Sequence, residues 1–176
     1  MAEVARPVIR AVLDTNVLVP PGLRRDLQNA AQEGAFTAIW SPWIIAELNR
    51  VLTWKWLERT ATSSAARNVI CDLSPANWQR CSMAATAMME ILLATFELVN
   101  PRPPYPETWD TLADVQDVPI WAAAVEGRAQ YVVSNNRRDY PPRQRDYPPR
   151  QEDGRHIYQG VEYLSGADFL SRLTGT

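Results

Sequence analysis

At 176 residues the chain suits one folded domain, and its 46% hydrophobic content argues against intrinsic disorder because it is enough to cover a core. The chain has no run of about 18 apolar residues, and its first ten residues lack the apolar region of a signal peptide, so we expect a cytoplasmic protein without a membrane span. A net charge of −2 excludes a basic field over the whole protein as a sign of nucleic-acid binding.

The first predicted strand, Val8–Leu13, is a short apolar run that ends at the polar residues Asp-Thr-Asn, as a buried strand does where it leaves a sheet. Helical spacing of apolar residues then predicts a helix over Leu23–Glu33, with Gly34 as the residue that ends it. Phe36–Trp40 is predicted to be a second short strand. The chain therefore begins as strand, polar turn, helix and strand.

Two serine–proline pairs mark the starts of the next helices. Ser41 is a predicted N-cap for a helix over Pro42–Leu57, and Ser74 repeats the signal before a long helix over Pro75–Phe96. A weaker helical pattern covers Ser63–Leu73.

Strands continue to alternate with helices in the second half of the chain. The predicted elements are a short strand at Glu97–Val99, a proline-rich loop at Asn100–Pro106, an alanine-rich helix at Val118–Gly127, strands at Gln130–Ser134 and Val161–Leu164, and a last helix at Gly166–Leu173 capped by Ser165. Such alternation predicts an α/β fold with a mostly parallel sheet of four or five strands, covered by helices on both faces.

A perfect tandem repeat interrupts this pattern. Residues 138–144 read RDYPPRQ, and residues 145–151 read the same. The proline pairs exclude a helix or a central strand, so we interpret residues 138–154 as a surface loop lengthened by duplication. A polyproline ligand motif is the alternative.

Histidine and cysteine usage narrows the chemistry. His156 is the only histidine, which argues against zinc sites rich in histidine and against a Ser/His/Asp triad. Cys71 and Cys81 lie ten positions apart without a CxxC pattern, so we expect buried reduced thiols.

Four acidic residues stand where a parallel sheet gathers functional groups, at or near the carboxyl ends of its strands. Asp14 follows the first strand, Asp117 precedes the alanine-rich helix, and Asp139 lies five residues beyond the strand Gln130–Ser134. Glu47 can join them from one face of its helix. Gathered carboxylates repel each other, and Mg²⁺ or Mn²⁺ relieves that repulsion, so metal-assisted phosphodiester hydrolysis is the chemistry that this set suits.

Each acid also has a structural interpretation. Asp14 can form an Asx turn, and Glu47 can pair with Arg50 on a helix surface. Asp117 can cap a helix, and Asp139 can be a loop charge. The order, spacing and flanking residues of the four acids favour the metal site.

Two of these flanking stretches resemble motifs of the PIN-domain family. VLDTNVLV at Val12–Val19 resembles its first motif, a strand that ends in Asp followed by Thr-Asn. WSPWIIAELNRVL at Trp40–Leu52 is similar to its second motif, in which a helix presents a glutamate, here Glu47.

Two further stretches continue the resemblance. DVQDVPIWAAAV at Asp114–Val125 is similar to the third motif, whose metal ligand corresponds to Asp117, with Asp114 as a neighbour. The fourth motif of toxin-like members, Thr-x-Asn-x-x-Asp-Phe, is matched by residues 134–140, where Ser replaces Thr and Tyr replaces Phe. Asn136 and Asp139 fall in register with it.

The resemblance covers about Val8–Leu173 and carries expectations beyond the residues themselves. It implies one PIN-like domain over residues 1–176 with a three-layer α/β/α fold, and a Mg²⁺- or Mn²⁺-dependent ribonuclease that forms a homodimer. Many small members are VapC-type toxins that an antitoxin protein keeps inactive. The chain departs from a minimal toxin domain by extra helical residues at about 59–96 and by the duplicated loop beside Asp139.

We expect a set of polar residues to support the acids. Thr15, Asn16, Ser134 and Asn136 are placed to hydrogen-bond the carboxylates and fix their rotamers. Arg137 and Arg138 either contact RNA phosphates or are solvated loop charges; neither interpretation is favoured.

Three other functions remain open. The domain can be a binding or dimerisation module with little catalysis, or a metal-dependent hydrolase that acts on DNA or a phosphate monoester. Dehalogenase-like phosphotransfer is disfavoured, because it needs an aspartate where Asn16 stands.

Overall fold

The structure of the protein is a computed structural model that describes residues 8–60, 74–102, 118–136, 157–158 and 160–175. Within these residues the elements are, in chain order, β1 (Arg10–Leu13), α1 (Thr15–Leu18), α2 (Pro21–Gln32), β2 (Thr37–Trp40), α3 (Pro42–Thr60), α4 (Pro75–Leu93), β3 (Glu97–Leu98), α5 (Val118–Glu126), β4 (Tyr131–Val133), β5 (Ile157–Tyr158), β6 (Val161–Leu164) and α6 (Gly166–Thr174).

The strands form one sheet in the order β3-β2-β1-β4-β6-β5. The first five strands of this order run parallel, and β5 pairs antiparallel with β6 at the edge. Ala11 of β1 is in register with Ala38 of β2 and with Tyr131 of β4, so β1 lies at the centre. The predicted, mostly parallel sheet is confirmed, and the two-residue strand β5 is an addition that the sequence did not indicate.

Helices cover both faces of the sheet. Tyr131 contacts Phe169 of α6, with ring centroids 5.5 Å apart, whereas Tyr163 stacks on Trp121 of α5 at 6.4 Å. Tyr163 is in register with Val132, the neighbour of Tyr131, so the two tyrosines point to opposite faces. The predicted three-layer α/β/α arrangement is therefore confirmed.

The core lies between the sheet and these helices. Its largest fully buried side chains include Trp40, Trp121, Phe169, Leu13, Ile39, Ile44 and Leu48. Gly127, just after α5, packs tightly onto the sheet: a Cβ atom there would lie 2.7 Å from Ile39 Cδ1 and 2.9 Å from the Ala123 carbonyl oxygen.

Local chemistry sets several helix ends as the sequence predicts. Ser74 Oγ accepts a hydrogen bond from the Asn77 N–H at 3.3 Å, and Ser165 Oγ accepts one from the Asp168 N–H at 3.2 Å. Gly34 follows α2 with φ +75°, the left-handed conformation that glycine adopts without strain.

The residues after β1 differ from the predicted polar turn, because Thr15–Leu18 form the short helix α1. Val17 and Leu18 are fully buried, and the Val19 N–H donates to the Thr15 carbonyl at 3.0 Å. Burial of two apolar side chains therefore winds this segment into a turn of helix.

Several predictions fall on residues that the structure does not describe. They are the weak helix at Ser63–Leu73, most of the loop at Asn100–Pro106, the tandem repeat, Cys71 and His156. Cys81 is a free, buried thiol on α4. Among the described helices, none is both long and apolar enough to cross a membrane.

Candidate functional site

Asp14 lies at the carboxyl edge of the sheet, directly after β1. Its backbone N–H donates to the Val133 carbonyl of β4 at 3.0 Å, and its residue surface is only 7% exposed. The parallel pairing of β1 and β4 brings Ser134 to the same edge, because both residues follow adjacent strands.

The Ser134 hydroxyl is fully engaged in hydrogen bonds. It donates to Asp14 Oδ2 at 2.7 Å and accepts from Asn16 Nδ2 at 2.9 Å and from the Asn136 N–H at 3.0 Å. Asn16 Nδ2 also donates to Asp14 Oδ2. A hydroxyl can donate one hydrogen bond and accept two, so the Ser134 hydroxyl has no further capacity. Ser134 and Asn16 together hold the orientation of the Asp14 carboxylate.

Glu47 reaches the same edge from α3. Its Oε2 accepts a hydrogen bond of 2.9 Å from the hydroxyl of Thr15, the residue next to Asp14, and the glutamate is half-buried. Asp14 is the N-cap of α1 and Thr15 is its first residue, so the hydrogen bond from Thr15 links Glu47 to Asp14.

The surroundings of Asp14 disfavour its negative charge. Burial raises the pKa of Asp14 to about 6; the Ser134 hydrogen bond opposes this rise, the charge of Glu47 adds to it, and the N–H groups of Thr15 and Asn16 oppose it. The negative charge of Asp14 is costly because the side chain is buried and lies near a second carboxylate. Mg²⁺ or Mn²⁺, which prefer hard oxygen ligands, would stabilise this pair of acids. Asp14 and Glu47 therefore fit a divalent cation.

The other predicted site residues, Asp114, Asp117, Arg137, Arg138 and Asp139, lie outside the described residues. Asp117 is the residue that immediately precedes α5. Within the described ranges no group of three or more His, Cys, Asp or Glu side chains comes together. A ligand set of four acids therefore stays a prediction.

Asn135 connects the site to α6 and was not singled out from the sequence. Its N–H donates to Asn16 Oδ1 at 2.8 Å, and its side-chain oxygen accepts from the Gly166 N–H at 3.2 Å. The only sequence signal was the polar run Ser-Asn-Asn after β4.

Two tryptophans flank the start of α3 and have different environments. Trp40 is fully buried and packs edge-on against Phe96 with ring centroids 4.8 Å apart. Trp43, one helical turn before Glu47, is 50% exposed. Trp40 therefore belongs to the core, whereas Trp43 is available to a ligand.

The chain matches a known protein family. A family model described as "PIN domain" matches residues 10–138, well over half of the chain. The span contains Asp14, Glu47 and Asp117 and ends one residue before Asp139. No curated protein matches the chain significantly.

Proposed function

Because the chain belongs to the PIN-domain family, whose members are generally nucleases, we propose that it is a Mg²⁺- or Mn²⁺-dependent endoribonuclease. In this proposal it hydrolyses RNA phosphodiester bonds and is the toxin of a type II toxin–antitoxin pair. The observation that carries the nuclease activity is the buried carboxylate of Asp14, raised in pKa beside Glu47 at the carboxyl edge of the sheet.

Asp14 and Glu47 would hold the cation, and Asp117 and Asp139 are the proposed further ligands. A bound divalent cation supplies a Lewis acid, which neutralises the charge that develops on a phosphodiester as it is hydrolysed. The proposed role of this chain is to present oxygen ligands in a fixed arrangement at the carboxyl edge of the sheet.

Three neighbours fix that arrangement. Ser134 and Asn16 both donate to Oδ2 of Asp14, and Thr15 donates to Oε2 of Glu47. Such contacts select one rotamer of each acid, so that cation binding needs little reordering. We propose these three as positioning residues, with Asn136 acting through its N–H on Ser134.

The choice of RNA and the homodimer are supported by the resemblance to the PIN-domain family, and the antitoxin by the likeness of residues 134–140 to the fourth motif of its toxin-like members. Asp114 is proposed as a neighbour of the ligand Asp117, and Arg137 and Arg138, which are close in sequence to Asp139, are proposed to contact RNA phosphates. Cleavage of RNA can be tested with the purified protein alone.

The test is cleavage of a mixed single-stranded RNA pool by purified protein with Mg²⁺ or Mn²⁺, beside an EDTA control. The Asp14→Asn variant should be inactive, and Asp26→Asn, the same change at an exposed acid of α2, should cut as the wild type does. Undiminished cutting by Asp14→Asn would refute the assignment of Asp14.

Two further arms separate the rival functions. Single-stranded DNA and small phosphate esters, offered in place of RNA, show whether another substrate is cut. If a folded protein cuts none of them, calorimetry with Mn²⁺ decides, because a binding module should show no metal binding that Asp14→Asn removes.

A further inference from the structure

A small pocket lies between the segment after α1 and the C-terminal half of α3. It has a volume of about 40 Å³, and three of its lining residues are Arg24, Lys55 and Arg59. We call these three cations and the space between them the basic notch. Leu52 and Trp56 supply its apolar wall.

Arg24 is the unusual member of the basic notch, because it is only 9% exposed. Its Nη1 donates to the Leu18 carbonyl at 2.8 Å and to the Val19 carbonyl at 3.2 Å. No carboxylate among the described residues forms an ion pair with it. Arg24 is thus a largely buried cation whose partners among the described residues are two neutral carbonyl groups, and a bound anion would lower the cost of its burial.

The electrostatics of the notch agree with this geometry. Burial lowers the pKa of Arg24, and the positive charge of Arg59 lowers it further. Lys55 pairs with Glu58 at 3.2 Å, but both side chains are about half exposed, so this ion pair is weak and leaves the notch with an excess of positive charge.

The notch and the candidate site both lie where α3 meets α1 and the residue that follows it. Glu47, Val51, Lys55 and Arg59 recur every four residues and so form one ridge along α3. With a rise of about 1.5 Å per residue, Lys55 and Arg59 lie roughly 12 Å and 18 Å along the helix from Glu47. Across from this ridge, α1 begins at Thr15, which bonds Glu47, and ends beside Val19, which lines the notch.

We propose that the basic notch binds a backbone phosphate of single-stranded RNA a few nucleotides away from the bond that is cut. The proposal rests on the proposed function. A stacked strand rises about 3.4 Å per nucleotide, so a span of 12–18 Å corresponds to about four or five nucleotides. Two guanidinium groups and an ammonium group around a small pocket suit a phosphate, which arginine binds with paired hydrogen bonds.

The test measures RNA binding in EDTA, where metal-dependent cleavage is suppressed. The variant Lys55→Gln/Arg59→Gln removes two exposed charges and leaves the buried Arg24 in place. The matched control, Arg25→Gln/Arg80→Gln, removes two exposed arginines from α2 and α4. Circular dichroism establishes that both variants are folded.

For a labelled 12-nucleotide RNA we expect the notch variant to bind about tenfold more weakly, since charge-assisted contacts are lost. The slope of log affinity against log salt should fall by about 0.7 for each phosphate contact removed. The control should stay within about twofold of the wild type, because neither Arg25 nor Arg80 lines the notch.

Substrate length locates the contact. With Mg²⁺ or Mn²⁺, the notch variant should cut the 12-nucleotide RNA less efficiently through a raised KM and cut a trinucleotide as the wild type does, because three nucleotides do not span the ridge. If the wild type binds RNA through the notch but never cuts it, the proposed function fails and the phosphate site stands.

Three results would overturn the phosphate site. The first is no RNA binding by the wild type, and the second is an equal loss of RNA affinity in the notch variant and its control. The third is an equal loss of cleavage efficiency by the notch variant on the 12-nucleotide RNA and on the trinucleotide. If the notch variant binds RNA as the wild type does but has lost binding of polyglutamate, the notch binds an acidic polypeptide instead, and the proposal is wrong.

Discussion

Ser134 Oγ donates a 2.7 Å hydrogen bond to Asp14 Oδ2, joining residues that lie 120 positions apart in the chain. Both residues follow adjacent parallel strands, β4 and β1, and the contact therefore depends on sheet pairing and not on local sequence. The same hydroxyl accepts from Asn16 and Asn136, so Ser134 joins both asparagines to Asp14.

Replacing this serine tests its role as a positioning residue. Ser134→Ala should lower kcat for RNA about 10- to 100-fold and weaken Mn²⁺ binding, while KM changes little, because Asp14 loses one of its two side-chain donors. Ser134→Thr retains the hydroxyl and should restore most of the activity. Steady-state kinetics of both variants, beside the exposed Ser171→Ala, are the measurement; equal activity of all three would exclude the role.

Asp14 should destabilise the metal-free protein at neutral pH. Its pKa is raised to about 6 from the ordinary value of 3.8, so the fold favours the protonated form. The free energy of unfolding should therefore fall as the pH rises from about 4 through 6, and Asp14→Asn should be more stable than the wild type at pH 7.5 by about 1–3 kcal/mol.

Urea denaturation in EDTA at pH 4.5 and pH 7.5 checks this. The stability difference between Asp14→Asn and the wild type should grow with pH; Asp26→Asn, the same change at an exposed acid, is the control. A difference that is constant between the two pH values would contradict the raised pKa.

Divalent cations should stabilise the wild-type protein through the acids of the candidate site. Mn²⁺ at about 100 times its dissociation constant should stabilise the wild type by about 2.7 kcal/mol, because it binds only the folded site. Glu47→Gln should lose most of this gain, and the exposed Glu33→Gln should keep it. Thermal melting with and without Mn²⁺ measures the effect; a full gain in Glu47→Gln would remove Glu47 from the ligands.

Gly127 tests the packing of α5 on the sheet. Gly127→Ala places a Cβ atom within 2.7 Å of Ile39 Cδ1 and 2.9 Å of the Ala123 carbonyl oxygen, so it should cost about 1–3 kcal/mol of stability. Gly22→Ala, where nothing lies within 4 Å of the added atom, should be neutral or slightly stabilising. Chemical denaturation of the two variants measures the free energy of unfolding. An unchanged value for Gly127→Ala would show that the Ile39 side chain moves aside at little cost.

Much of the fold is predictable because its signals are local. The caps at Ser74 and Ser165 and the glycine after α2 depend on residues within one helical turn, and the sequence places them correctly. The helix α1 and the strand β5 were not predicted, since four residues and two residues are too short to show a period. Burial of Val17 and pairing of β5 with β6 stabilise them instead.

The candidate site is predictable only in part, for the same reason. A strand end marks Asp14, and helix spacing marks Glu47, but the strand order that joins Asp14 to Ser134 is a property of the whole sheet. Arg24 is harder still, because arginine is usually exposed and nothing in its local sequence indicates a buried side chain. Only the packing of α2 against the segment after α1 reveals the basic notch.

The separation of Asp14 from its hydroxyl partner has a consequence for synthesis of the protein. Asp14 leaves the ribosome 120 residues before Ser134, so a nascent chain that stops short of β4 has no completed support for its first acid. β4 pairs with both β1 and β6, so the edge of the sheet takes its final form only when all three strands are present. A cell that makes this protein is therefore exposed to an assembled site only after β4 and Ser134 have been translated.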